Sequence, residues 1–349
     1  MSAAAEIDKP LRGVRVVEFE GLGPGPLAGM ILADFGAEVT TLVRPAKSAA
    51  ADPLVGIPVN PLHRGKRIEA VDLKTAEGRD RALALVAQAD ALIEGNRPGV
   101  MERLGLGPEA CAARNPKLVY GRMTGWGQSG PMAPLAGHDL NYVALTGVLS
   151  LASRQGQPPV LPPTMVGDAP GALGLAFGIA TALLAVRAGG PGRVVDAAIV
   201  DIVAMLSSLL QGVRAAGQVD GQQASLFHDS PFYDTYACAD GGFITLGAIE
   251  PQFYAQALAR LGLDDLDPRA QYDRAAWPAT KARLTALFES QPRAHWCAVL
   301  EGSDACFAPV LRLAEAAAHP HNQARGTYAI DERGIITAAP APRFLPLTP

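Results

Sequence analysis

His138, in the string AGHDLNY, and Asp168, in VGDAPG, are the two side chains of this sequence that as a pair could do proton chemistry. Histidine and aspartate have reference pKa values of about 6.5 and about 3.9, so an imidazole and a carboxyl together can exchange a carbon-bound proton near neutral pH. Taken singly, each has a plainer reading: His138 as a partly buried structural histidine, and Asp168 as the N-cap of the apolar helix that follows it. These roles are compatible, because the amides at a helix start favour a nearby negative charge and also form an oxyanion site. Glu250, in LGAIEPQFY, ends a strand and precedes Pro251, where an exposed first-turn acid is the ordinary reading.

A second group of residues could hold an anion. Arg44 closes the run VTTLV, and Lys74, Arg97 and Arg103 follow in strings that begin near the ends of predicted strands. Open α/β sheets bind ligands at the C-terminal ends of their strands. Arg44 stands where NAD-binding sheets place an acid for the ribose, so a phosphorylated adenosine suits it better. For any one of these cations a solvated surface charge is the better reading; taken together, they point to a phosphorylated-adenosine ligand as readily as to a solvated face. The loop GLGPGP carries Gly21, Gly23 and Gly25, but its spacing is GxGxGxxxG, and Pro24 and Pro26 remove two amides that a pyrophosphate would need. A tight turn that brings backbone close to a ligand or another subunit fits this loop better than a nicotinamide-cofactor site. An NADP-dependent oxidoreductase is thus a distant alternative.

The elements that must position these groups are legible from periodicity. VRVVEF, then PLAGMILADFGAEV, then VTTLV reads as strand, helix and strand. The pattern continues through RIEAVDL, TAEGRDRALALVAQA, ADALIE, PGVMERLGL, LVYGRMT and VVDAAIVDIVAMLSSLL. It predicts an α/β fold, with a large Rossmann-like parallel-sheet domain over residues 1–200 and a linker over 201–224. A smaller α+β domain is expected over 225–319, opening with two strands in FYDTYACADGGFITLGAI joined at Asp-Gly-Gly; residues 320–349 are expected to pack back on the large domain. Residues 169–186 carry no charge over eighteen positions, which just reaches the length of a membrane span. They are rich in Ala and Gly, with Gly174 and Gly178 at close-contact spacing, so a buried helix is the expectation.

Composition agrees with a soluble enzyme. The chain has 349 residues, 49% hydrophobic and 18% charged, with a net charge of −4, which gives no global attraction for nucleic acid or anionic membrane. Cys111, Cys238, Cys297 and Cys306 form no CxxC pair, so reduced structural thiols are expected rather than a zinc ribbon. The N-terminal MSAAAEIDKP lacks an apolar signal region, and a cytoplasmic location is expected.

The strings LRGVRVVEF, GPGP, ILADFGAEV, VDLKTAEG, IEGNRPGVMERLGLG, TGWGQSGP, AGHDLNY, VGD, DAAIVD and GAIEPQFY resemble, in the same order, the class III CoA-transferase family. The resemblance runs from about residue 10 to the PAPRF near residue 343 and is nearest to the 2-methylacyl-CoA racemase branch. The branches differ at His138: transferases carry GYD-type sequence there and use the aspartate matching Asp168 as a nucleophile, whereas racemases carry GHD. The resemblance implies an interlocked homodimer acting on an acyl-CoA thioester, with CoA bound as part of the substrate and no separate cofactor, metal, nucleic acid or membrane. It makes His138 and Asp168 the proton-transfer residues and Glu250 the partner of the histidine, reached across the dimer interface. It assigns CoA contacts to Arg44, Val71, Asp72, Leu73, Lys74, Gly95, Asn96, Arg97, Arg103 and the stretch Gly137, Asp139, Leu140, Asn141 and Tyr142. The expected reaction is inversion at the α-carbon through an enolate. His138 and Asp168 would serve opposite faces, and the helix-start amide of Asp168 would bind the enolate oxygen. Met123, Met165 and Met205 suit an adaptable acyl track or ordinary core packing. A CoA-transferase with Asp168 as nucleophile, and a non-catalytic CoA-binding protein, are the other readings.

Overall fold

Strands, of which Arg15–Phe19, Ala91–Glu94 and Val119–Thr124 are buried on both faces, alternate with amphipathic or small-residue helices along the first two hundred residues. The computed structural model describes residues 9–45, 60–152, 157–219, 223–330, 332 and 334–347. The chain divides into two units, Met1–Ser207 with Pro340–Pro349, and Ser208–Ala339. The polar N-terminal stretch as far as Asp8 lies outside the described residues.

The first unit contains, in order, β1 (Arg15–Phe19), α1 (Pro24–Asp34), β2 (Glu38–Val43), β3 (Lys66–Ala70), α2 (Ala76–Val86), β4 (Ala91–Glu94), α3 (Val100–Arg103), α4 (Pro108–Arg114), β5 (Val119–Thr124), α5 (Asp139–Leu145), α6 (Asp168–Arg187), β6 (Arg193–Ala198) and α7 (Ile199–Leu206). Its six strands form one parallel sheet in the order β3-β2-β1-β4-β5-β6. Because side chains alternate along a strand, Val16 and Val17 enter different cores. Val16, Val39, Ile93 and Val119 pack with Ala28, Leu32, Leu175 and Ile179 of α1 and α6. Val17, Phe19, Leu42 and Leu92 pack with Ala82, Val86, Met101 and Cys111 on the other side. The strand order reverses between β1 and β4, so the loops after these strands diverge and leave a crevice at the C-terminal edge.

Helix α6 explains both its glycines and its apolar run. A Cβ on Gly174 would fall 2.5 Å from Ile202 Cδ1, and one on Gly178 2.7 Å from Val195 Cγ1. The small residues therefore let α6 lie close on β6 and α7. The expected burial holds for one face only. Leu173, Phe177 and Leu184 are 58%, 71% and 70% exposed, because the helix is apolar all round and the sheet covers one side.

The second unit contains α8 (Ser208–Ala215), β7 (Tyr233–Ala237), β8 (Phe243–Gly247), α9 (Pro251–Arg260), α10 (Trp277–Glu289), α11 (Arg293–Leu300), β9 (Phe307–Val310), α12 (Leu313–Ala318), α13 (Pro320–Arg325), β10 (Tyr328–Ile330) and β11 (Ile336–Ala338). The expected hairpin is β7 and β8, antiparallel, with β9 added on the far side of β8. Phe232, Tyr254, Trp277, Phe288 and Trp296 fill its core, and both indole N–H groups donate to backbone carbonyls, of Gln271 at 2.8 Å and Phe288 at 2.9 Å. Two boundaries differ from expectation. Residues 201–215 of the expected linker hold the rest of α7 and α8, its residues 220–222 lie outside the described residues, and residues 320–339 belong to the second unit. There Tyr328–Ile330 and Ile336–Ala338 pair as the β10–β11 ribbon, whose three-residue strands are too short to show periodicity. Only Pro340 onward returns to the first unit, where Phe344 meets Phe35 edge-on at 5.3 Å. The four cysteines are free, as expected.

Candidate active site

The crevice is framed by loops that follow strands, and buried charges fix those loops. Glu94, at the end of β4, is fully buried; its Oε2 accepts the Asn96 amide at 2.7 Å and its Oε1 meets Arg122 Nε at 3.0 Å. Burial pushes the Glu94 carboxyl up, while the Asn96 amide and Arg122 pull it back. Arg122 also reaches Glu102 Oε1 at 2.8 Å. The segment Gly95 to Pro98 is thereby held as one wall of a pocket of about 250 Å³, whose other walls are Thr124 to Trp126, Gly137, His138 and Tyr142. Trp126 and Tyr142 pack edge to face at 4.7 Å. Gly125 has to be glycine, since its Cβ would lie 1.9 Å from Tyr142 Cε1. The Tyr142 hydroxyl donates to the Gly137 carbonyl.

His138 is the N-cap of α5, with extended backbone; its amide donates to Asn141 Oδ1 at 3.1 Å and its ring is exposed. The next residue, Asp139, turns inward and is 9% exposed. Its Oδ1 accepts the amides of Gly167 at 2.9 Å and Asp168 at 2.7 Å. One carboxylate thus ties the start of α6 to the start of α5, bringing His138 and Asp168 together.

Asp168 is the first residue of α6, with Gly167 as the N-cap, so it does not cap the helix with its side chain. Among the described residues no donor hydrogen-bonds its half-buried carboxyl. Burial, and then the neighbouring Asp139 charge, push that carboxyl up to about 6, against the opposing pull of His138. Tyr142 is pushed up by burial and by Asp168, with Arg97 acting the other way. The glycine-rich loop covers the same carboxyl: a Cβ on Gly23, which has φ +65°, would stand 3.1 Å from Asp168 Oδ2. Two expectations change here. The Asp168 amide is engaged by Asp139 rather than turned toward a substrate oxygen, and the Asp139 carboxylate is an internal tether rather than a surface ligand contact.

The residues expected to contact an anion lie along the same sheet edge, in two groups. Gly95, Asn96, Arg97, Gly137, His138 and Tyr142 line the pocket. Arg44 follows β2, exposed, with its amide and Nε on Glu20 Oε2 at 2.9 and 3.3 Å. After β3, the Val71 side chain is in the core, so only its backbone is offered; Leu73 packs against that core, and Asp72 Oδ1 accepts the Lys74 amide at 3.0 Å. Lys74, Arg97, Arg103, Leu140 and Asn141 are exposed. Glu250 is in the second unit, exposed, at the N-cap of α9. Met123 is core, whereas Met165 and Met205 are each 62% exposed.

Several supporting residues escaped the sequence reading. Lys66 Nζ lies 2.6 and 2.9 Å from the two Glu18 oxygens and donates to the Pro26 carbonyl at 2.8 Å, with both side chains fully buried. Thr41 Oγ1 adds a bond to Glu18 at 3.0 Å. A Cβ on Gly29 would fall 1.7 Å from Glu18 Oε2, so the glycine opens α1 to this pair. The available signal was an acid inside an apolar strand, in VVEF and again in ALIE. Trp126 gave no signal apart from its string.

The model of CoA-transferase family III matches residues 11–346 of the chain. A Mus musculus protein named alpha-methylacyl-CoA racemase is 44% identical over 336 residues, which cover 95% of this chain and 86% of that protein. The Homo sapiens protein of the same name is 41% identical over 338 residues, covering 96% and 86%. Among solved structures, a CAIB/BAIF family protein from Brucella suis is similar with a TM-score of 0.80 at 27% identity, covering 97% of this chain and 93% of that one.

Proposed function

The chain belongs to CoA-transferase family III, and from that premise we propose that it is a racemase interconverting (2R)- and (2S)-2-methylacyl-CoA thioesters through an enolate. The likeness to proteins named alpha-methylacyl-CoA racemase supports this reading. One observation carries it: Asp168 has a half-buried carboxyl pushed up to about 6, and its amide is tied to Asp139, the residue beside His138. An acid tuned near neutrality can both take and return a proton, which inversion requires in its two directions.

A proton leaves the α-carbon to one group, the thioester carbonyl delocalises the charge, and the other group delivers a proton to the opposite face. The substrate needs no further cofactor for this step. His138 serves one face and Asp168 the other. In the direction where Asp168 begins ionised, rate is lost as pH falls through about 6. The CoA portion lies along the strand ends, its phosphates near Arg44, Lys74, Arg97 and Arg103 and its pantetheine tail past Gly95 and Asn96. The exposed apolar face of α6 supports a homodimer, interlocked in the manner of the family, in which the Glu250 of one subunit orients the His138 of the other.

A CoA-transferase with Asp168 as nucleophile is separated by one assay. The enzyme is incubated with a 2-methylacyl-CoA and a free carboxylic acid in deuterated solvent. The racemase reading expects α-deuterium uptake with no transfer of CoA to the acid; CoA transfer and a hydroxylamine-sensitive enzyme adduct would overturn it. Gly23→Ala tests the covering loop. Its new methyl lies against Asp168 in a backbone region reserved for glycine, so kcat is expected to fall on the order of 10²-fold with KM little changed. An unchanged kcat would contradict the placement.

A further inference from the structure

The loop GLGPGP has a role that a ligand-binding turn does not explain. Gly23 is the N-cap of α1, and Pro24, Gly25 and Pro26 are the first three residues of that helix. Helix starts present unpaired amides, and a carboxylate beside them is ordinarily hydrogen-bonded and favoured in its ionised form. Asp168 Oδ2 lies 3.1 Å from where a side chain on Gly23 would begin, so the carboxylate stands beside the open end of α1. Two of the four amides that end would offer are missing, because proline has no N–H, and only those of Gly23 and Gly25 remain. Proline at the first position of a helix is common; a second at the third position, where caps normally bond, removes one of the donors such a carboxylate would use.

We propose that Pro24 and Pro26 act on the reaction by withholding amide hydrogens from the Asp168 carboxyl, so that α1 shields this acid without hydrogen-bonding it. They are positioning residues, acting through Asp168. The other groups facing the carboxyl come from α5: His138 and Asp139 act on it directly, and Tyr142 faces it with Arg97 behind. The first turn of α1 contributes no acidic residue, and on the loop before it Glu20 is paired with Arg44. Burial and Asp139 are thus left unopposed by any hydrogen bond to the carboxyl, in keeping with its value of about 6. The arrangement is also anchored: the Pro26 carbonyl accepts Lys66 Nζ at 2.8 Å, a bond that alanine at this position would keep.

This inference rests on Asp168 as a proton-transfer residue, so the test reads the carboxyl itself. Protein labelled with ¹³Cγ-aspartate is titrated by NMR, the Asp168 signal being the one lost in Asp168→Asn. In Pro26→Ala the restored amide is expected to lower the titration midpoint by about one pH unit. The acid limb of the α-proton exchange profile should move down with it. Pro24→Ala provides a second, independent variant expected to shift in the same direction. If both variants fold, as circular dichroism reads, and the Asp168 midpoint stays where it is in the parent protein, the proposal is overturned. Rates reduced equally at every pH would also overturn it, since that pattern belongs to structural damage alone. Should the parent protein show no α-proton exchange, the racemase reading fails while the NMR titration still decides this one.

Discussion

Replacing His138 with alanine is expected to lower α-proton exchange ~10³-fold while leaving the fold intact. The imidazole is exposed, and the contacts that hold its position come from its backbone, whose amide donates to Asn141. Removing the ring therefore takes away the proposed proton carrier without opening a cavity. Asp139 would still tie α5 to α6, so Asp168 should keep its place. Exchange is followed by ¹H NMR loss of the α-signal in deuterated buffer, beside a thermal melt. A variant that melts as the parent does and retains more than a tenth of its exchange rate would remove His138 from the mechanism.

The second large effect is on stability. Lys66→Met leaves Glu18 buried with its countercharge gone, and breaking a buried pair in this way costs about 3–5 kcal/mol. The sidedness with pH follows from Glu18. Burial raises its carboxyl above the ordinary value, and Lys66 is the main influence pulling it down. Without Lys66 the folded state binds the Glu18 proton more tightly than the unfolded chain does, so stability is lost as pH rises through the folded value. The deficit should therefore be larger at pH 8 than at pH 5, as read from urea unfolding of the first unit. A loss under about 1 kcal/mol at pH 8 would show that the pair is not the buried element described. Because Lys66 also holds the Pro26 carbonyl, activity should fall more steeply than the folded fraction.

Much of this was legible before any coordinates. Alternating apolar runs gave the parallel sheet because strands buried on both faces must read as Val-, Ile- and Leu-rich, as β1 and β4 do. GHD and VGD became readable as chemistry through the resemblance to the class III CoA-transferase family, since His138 and Asp168 taken singly each have a plainer structural reading. What stayed hidden was long-range pairing. Nothing in VVEF announces that Glu18 meets Lys66 forty-eight positions on, and nothing in AGHDLNY says that the aspartate after the histidine turns inward to hold Gly167 and Asp168. The hydrogen bond from the Asp168 amide to Asp139 reverses an inference that local sequence favoured, in which a helix-start amide is free for an oxyanion. The expected linker failed for a similar reason: Ile199 to Leu206 and Ser208 to Ala215 are helical, and a break of a single residue is invisible to periodicity.

In the proposed reaction, two groups on opposite sides of one carbon move its proton. The most direct measurement starts from a single enantiomer of a 2-methylacyl-CoA in deuterated water, stopped early in the reaction. Configuration and α-label are then read separately on recovered substrate and on product. Two opposed groups predict inverted product carrying one solvent deuterium, with recovered substrate still holding its original hydrogen. Deuterium appearing first in substrate of unchanged configuration, or CoA leaving for another acid while the α-hydrogen stays, would contradict the account.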